Sequence, residues 1–137
     1  MSTANRGRTM DKVIEERYPN GKLKLRYHLR YGLKNGLYER WYENGKPCFR
    51  INYKNENRDG LFEAWYENGK RWHRVNFKGD NEDGLDEIWY PNGKIQFRVN
   101  YSYGTKHGLS EWWDENGKLI FRKNYKYGIK VPVNVEK

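Results

Sequence analysis

The residues able to do chemistry in this chain recur in columns. Glu39, Glu63, Glu87 and Glu111 stand 24 residues apart, and so do Arg26, Arg50, Arg74, Arg98 and Arg122. Carboxylates in pairs can act as general acid and base, and guanidinium groups can clamp anions. Catalysis needs a unique constellation in a concave site, so a set of regular copies reads as a structural ladder instead. Trp41, Trp65, Trp89 and Trp113 form a third column. A row of indoles could stack bases or sugars, but a ring placed in every unit reads more simply as core. His28, His73 and His107 are scattered, with no carboxylate or cysteine at ligand spacing, so neither a metal site nor a triad is expected from them. Cys48 lies in a variable slot and reads as a half-buried thiol. No phosphate-cradling glycine loop and no nucleophile elbow is present. The expectation is a non-enzymatic chain with no catalytic, cofactor-binding or metal residues and no small-molecule substrate.

These columns belong to an internal repeat. Asn-Gly-Lys occurs at Asn20, Asn44, Asn68, Asn92 and Asn116, and Gly-Leu at Gly36, Gly60, Gly84 and Gly108, always 24 residues apart. Asn-Gly is a strong hairpin signal, because a two-residue turn of type I′ needs φ > 0 at both central residues. The apolar residues around it alternate with a spacing of two, which is a strand period. Each unit then reads as two strands, followed by a longer polar loop that suits a wider turn. The predicted strands are 13–18, 22–29, 37–42, 46–53, 61–66, 70–77, 85–90, 94–101, 109–114 and 118–125. The fold class is all-β: an elongated, single-layer antiparallel meander of about ten strands, built from 24-residue β-hairpin repeats. Residues 1–11 read as a mobile basic arm, 12–128 as the repeat array and 129–137 as a capping tail, with Val133 and Val135 in a truncated last strand.

The register can be tested within the sequence. A two-residue Asn44-Gly45 loop places Glu39 opposite Arg50. The same arithmetic puts Glu63 opposite Arg74, Glu87 opposite Arg98 and Glu111 opposite Arg122. Opposite charges directly across strands contribute ~0.2–1 kcal/mol each. The same register sets Trp65 against Trp72 and Trp41 against Cys48. A three-residue loop with a bulge is the competing geometry, and it would move Glu off Arg. One face would carry Leu, Glu and Trp with Asn and Arg. The other would carry Tyr38, Arg40 and Tyr42 with Phe49, Ile51 and Tyr53.

Composition narrows the classes. The formal charge is +9, and aromatic residues make up 17% of the chain, far more than disorder would allow. No run of 18 apolar residues and no apolar leader occurs, and the one cysteine excludes an internal disulfide framework. A cytoplasmic setting is expected, or a virion if the source is viral, with neither secretion nor a membrane span.

The run Asp59-Gly60-Leu61-Phe62-Glu63-Ala64-Trp65-Tyr66-Glu67-Asn68-Gly69-Lys70 resembles the variant MORN repeat. That repeat is found in YwqK-type bacterial antitoxins and in proteins of large DNA viruses. The resemblance covers residues ~13–128. It implies an elongated hairpin array that binds other molecules: a toxin partner for the antitoxins, phospholipid or protein scaffolds for the wider class.

Columns that the repeat does not dictate bear on partner choice. Tyr38, Phe62, Asp86 and Ser110 form one, and Arg40, Ala64, Ile88 and Trp112 form the next. Phe62, Ile88, Trp112, Arg40 and Tyr38 are therefore the candidate contacts for a protein partner, whether toxin-like or a component of an assembly. Open sheet edges could add self-association. The alternative is a basic surface for anionic lipid or nucleic acid, drawn from the high charge and the interleaved aromatics.

Overall fold

A computed structural model of the chain describes residues 10–133. Its elements are strands: β1 (Asp11–Arg17), β2 (Leu23–Arg30), β3 (Leu33–Trp41), β4 (Pro47–Lys54), β5 (Asn57–Arg58), β6 (Gly60–Trp65), β7 (Arg71–Lys78), β8 (Asn81–Trp89), β9 (Ile95–Ser102), β10 (Thr105–Trp113), β11 (Leu119–Lys126) and β12 (Ile129–Val131). They form one antiparallel sheet in which each strand lies beside its neighbour in the chain, with β5 a short piece that also pairs with β4. The meander matches the expectation. The count is twelve instead of ten, because β5 is split from β6 at Asp59 and because β12 pairs with β11. The sheet begins at Asp11, inside the expected arm, where Asp11 faces Arg30. Among the described residues the last strand is Ile129–Val131, and Val133 lies beyond it; Val135 and most of the arm lie outside the described residues.

The two kinds of turn exchange the roles expected of them. At Asn-Gly, the Gly45 N–H donates to the Tyr42 carbonyl at 2.9 Å and the Tyr42 N–H to the Lys46 carbonyl at 2.8 Å. Gly45 has φ 89°, and Asn44 is not left-handed. The loop is therefore three residues long and closes on a left-handed glycine. The Asn44 side chain accepts the Lys46 N–H at 2.9 Å, which is why Asn occupies this position. The tight two-residue turns lie between units, where both residues are left-handed: Tyr31 and Gly32, Asn55 and Glu56, Gly79 and Asp80, Tyr103 and Gly104, Tyr127 and Gly128. What looked like a wide loop is a tight turn followed by a bulge. In β3, for example, residues 35–37 face His28 alone, and Gly36 takes φ 103° there.

Glu nevertheless stays opposite Arg. The three-residue loop shifts the pairing by one residue, and a bulge at Cys48 shifts it back, so that Trp41 pairs with Pro47 while Glu39 pairs with Arg50. Lys24, Trp72, Gln96 and Ile120 are the matching bulge residues in the other hairpins. The expected Trp65–Trp72 and Trp41–Cys48 pairs do not form: Trp65 faces Arg71.

The same Glu also faces an Arg of the preceding unit. Glu39 lies opposite Arg26 and Arg50, Glu63 opposite Arg50 and Arg74, Glu87 opposite Arg74 and Arg98, and Glu111 opposite Arg98 and Arg122. An alternating row of charge thus crosses the whole sheet on one face. Ion pairs close at Arg26–Glu39 (3.1 Å), Arg50–Glu63 (3.2 Å), Arg98–Glu87 (3.1 Å) and Arg122–Glu111 (2.6 Å). Arg74 sits where the direction of pairing reverses: Glu63 has turned to Arg50 and Glu87 to Arg98.

The buried residues are on the opposite face. Leu25, Ile51, Val75, Phe77 and Val99 are there, with Ala64, Asp86 and Ser110. The four tryptophans of the 24-residue column are only half-buried and lie on the charged face, so they are not the core. Arginines cover all four from the preceding unit: Arg26 lies over Trp41 at 5.3 Å, Arg50 over Trp65 at 5.5 Å, Arg71 over Trp89 at 5.7 Å and Arg98 over Trp113 at 5.9 Å. A guanidinium flattened on an indole shields ring and backbone together where no second layer exists.

A tyrosine ties each unit to the next. The hydroxyls of Tyr18, Tyr42 and Tyr66 donate to the carbonyls of Trp41, Trp65 and Trp89 at 2.6 Å, and Tyr90 donates to that of Trp113 at 2.7 Å. Asp114, in the same column, instead accepts the N–H groups of Asn116 and Lys118 in its own turn. Tyr66→Phe is expected to cost about 1 kcal/mol in urea denaturation. Tyr103→Phe, at a well-exposed turn ring, should change stability by less than about 0.5 kcal/mol. Burial pushes the Tyr42 hydroxyl from the ordinary 10.0 up to about 12, helped by the Cys48 thiol and Glu67. Its raised folded pKa means a stabilisation fully present below pH 10 and lost as pH rises towards 12. Absorbance titration of tyrosinate should show late-ionising groups in the folded protein, and Tyr42→Phe should remove one of them.

Candidate functional site

Aromatic side chains gather on the buried face because the period-two alternation sends positions 25, 27 and 29, and their equivalents, to one side. Tyr38 stacks on Tyr27 at 4.9 Å and on Phe49 at 5.9 Å, and Phe49 lies 6.2 Å from Phe62. Phe62 meets the His73 ring edge-on at 5.3 Å. Between these rings runs a groove of about 270 Å³, lined by Phe49, Ile51, Tyr53, Arg58, Phe62, His73 and Phe77. Arg58 lies over the Phe77 ring at 4.3 Å and is itself held by Asp80 at 3.0 Å. Backbone and side-chain hydrogen bonds from Arg58 keep the Asp80 carboxyl below its usual range.

The five candidate contacts all map to this face but do not form one cluster. Tyr38 and Phe62 belong to the rings around the groove. Arg40 lies between Leu25 and Phe49 across the strands. Ile88 lies between His73 and Phe97. Trp112 belongs to a second cluster, between Phe97 at 5.3 Å and Phe121 at 4.6 Å.

One polar pair was missed by sequence spacing. His73 Nε2 lies 2.7 Å from the Asp86 carboxylate, whose side chain is 8% exposed. A cross-strand pair 13 residues apart does not look like ligand spacing, so His73 appeared isolated. The signal was in the columns: His73 replaces a Phe at 49 and 97, and Asp86 replaces the Phe at 62. Among the described residues no cluster of His, Cys, Asp and Glu could hold a metal ion. Ser110 is also buried, and its hydroxyl has no hydrogen-bond partner among the described residues.

The pattern of the MORN repeat variant matches residues 34–55, 58–78, 82–103 and 106–127, together more than half of the chain. The chain belongs to the MORN repeat variant family. Each matched MORN segment carries one hairpin: β3–β4, β6–β7, β8–β9 or β10–β11. The family is typically non-enzymatic, and its repeats bind proteins or membranes. No curated protein matches at a significant level. Among solved structures the chain is similar to a crystal structure of an S. aureus TarM mutant in complex with Fondaparinux, alpha-GlcNAc-glycerol and UDP, at 14% identity and a TM-score of 0.39. That match covers 90% of this chain and 21% of the other. No helix of the described residues is long and apolar enough to cross a membrane.

The His73–Asp86 pair stands where the preceding MORN unit has Phe49 beside Phe62. His73→Phe alone leaves a buried carboxylate without its partner and is expected to destabilise the protein by about 1–3 kcal/mol. Adding Asp86→Phe should recover at least half of that loss in the same denaturation assay, because two rings can pack there.

Proposed function

We propose that this chain is a non-enzymatic scaffold that docks a protein partner on its aromatic face. The observation that carries the reading is the contrast between the two faces. On one, Glu and Arg alternate across the sheet and each of the four Glu residues of the row holds an arginine. On the other, a groove lined mainly by rings and aliphatic groups is open to solvent beside Phe62. A recessed apolar patch with a polar margin is the anatomy of a protein-docking surface. Neutralising a toxin-like protein and holding a place in a larger assembly such as a virion would use the same face.

The polyanion reading draws on the +9 charge, but four arginines of the charged face already hold carboxylates, which supports a protein partner over lipid or nucleic acid. A photo-crosslinking amino acid placed at Phe62 should give a discrete protein adduct in the native source. The same group at Leu61, on the charged face, should not. Equal labelling from both positions, or none from Phe62, would overturn the reading. Binding to anionic vesicles or single-stranded DNA that collapses between low and moderate salt would favour the alternative.

A further inference from the structure

Beside the two-residue turns, the aromatic face repeats one more contact. A residue at the start of each long strand lies beside the ring at the end of the next. Lys34 stands over Tyr53 at 5.2 Å, Arg58 over Phe77 at 4.3 Å and Lys106 over Tyr125 at 5.1 Å. The cation is attracted to the negative face of each ring, so these contacts are satisfied within the chain. The remaining unit breaks the rule: Glu82 occupies that column position, two residues before Gly84, the cross-strand partner of Tyr101.

Glu82 is half-buried and ion-paired with no described residue. It lies directly opposite Phe77, a wall of the apolar groove. Burial raises the Tyr101 hydroxyl above its usual range, and the Glu82 and Asp86 carboxylates raise it further, which places both acids near this ring. Lys106 is the direct cross-strand partner of Tyr101, but its ammonium lies over the Tyr125 ring at 5.1 Å, and Arg58 is held by Asp80 at 3.0 Å. An apolar groove therefore borders a carboxylate and the one ring of this column over which no described cation lies.

Resting on the docking reading above, we infer that the groove and the Glu82–Tyr101 slot together receive a basic side chain and an adjacent apolar side chain of the protein partner. The Lys or Arg lies over Tyr101 against Glu82, and the apolar group enters the space beside Phe62 and Phe77. The chain as a whole is basic, so Glu82 supplies a local attraction that selects where on the face the basic group lands.

The test is an NMR titration of the full labelled chain with three probes: N-acetyl-arginyl-phenylalanine amide, its glutamyl-phenylalanine counterpart, and N-acetyl-arginyl-glycine amide. The arginyl-phenylalanine probe should shift the ring signals of Phe77 and Tyr101 and bind more tightly than the other two. Glu82→Lys, which supplies the cation that the other units already have, and the milder Glu82→Gln should each weaken that probe by about three- to fivefold. Equal affinity for the acidic and basic probes, or an affinity unchanged by both variants, would overturn the inference. So would a free chain that is already a dimer with the groove covered by its second copy. Should Glu82→Lys fail to fold, Glu82→Gln decides. A crosslink at Phe62 that survives alongside indifferent probes sinks this inference alone; loss of that crosslink sinks the docking reading.

Discussion

A sheet with no second layer must cover both of its faces with its own side chains. That constraint explains most of the composition. A face packed with aliphatic groups alone would remain exposed to water, so the buried face uses rings that lie flat over one another and over Ile51, Val75 and Val99. The other face is held by electrostatics: every Glu of the central row stands between two arginines, and an arginine lies over each of the four indoles. Each exposed ion pair is weak by itself, on the order of 0.2–1 kcal/mol. Their value lies in register, because a slip of one residue would turn the acids to the wrong face.

The period of 24 survives because two irregularities cancel. A three-residue loop moves the pairing by one place and a bulge at Cys48 or Trp72 moves it back. The bulge bends the strand where the Trp carbonyl accepts the tyrosine hydroxyl of the preceding unit. Loop, bulge and tyrosine staple therefore act as one device that couples neighbouring units.

The all-β class, the meander and the Glu–Arg register were legible in the sequence, since each rests on identity repeated at fixed spacing. The turn types were not. Asn-Gly suits two hairpin geometries, and the Asn44 side chain contact that selects the longer one is invisible in the spacing. The Trp65–Trp72 pairing failed for the same reason, because a bulge leaves no mark beyond a variable column. The Trp column was misread as core, since the arginines that cover it come from the preceding unit. Of the candidate contacts, the shared face of Tyr38, Arg40, Phe62, Ile88 and Trp112 followed from alternation, but the separation of Tyr38 and Phe62 from Trp112 depends on ring stacking. His73 with Asp86, and Glu82 beside Tyr101, are departures from the repeat. In a periodic molecule those departures hold the information that the scaffold itself does not need.

The account stands on Glu63 lying between Arg50 and Arg74 in a single open sheet. Nuclear Overhauser contacts across the strands measure that placement directly. The account requires backbone contacts from Glu63 to both arginines, and from Trp65 to Arg71 in place of Trp72. Contacts from Glu63 to His73 or Val75 as its direct partner, or to Arg74 on one side with nothing from Arg50 on the other, would contradict it.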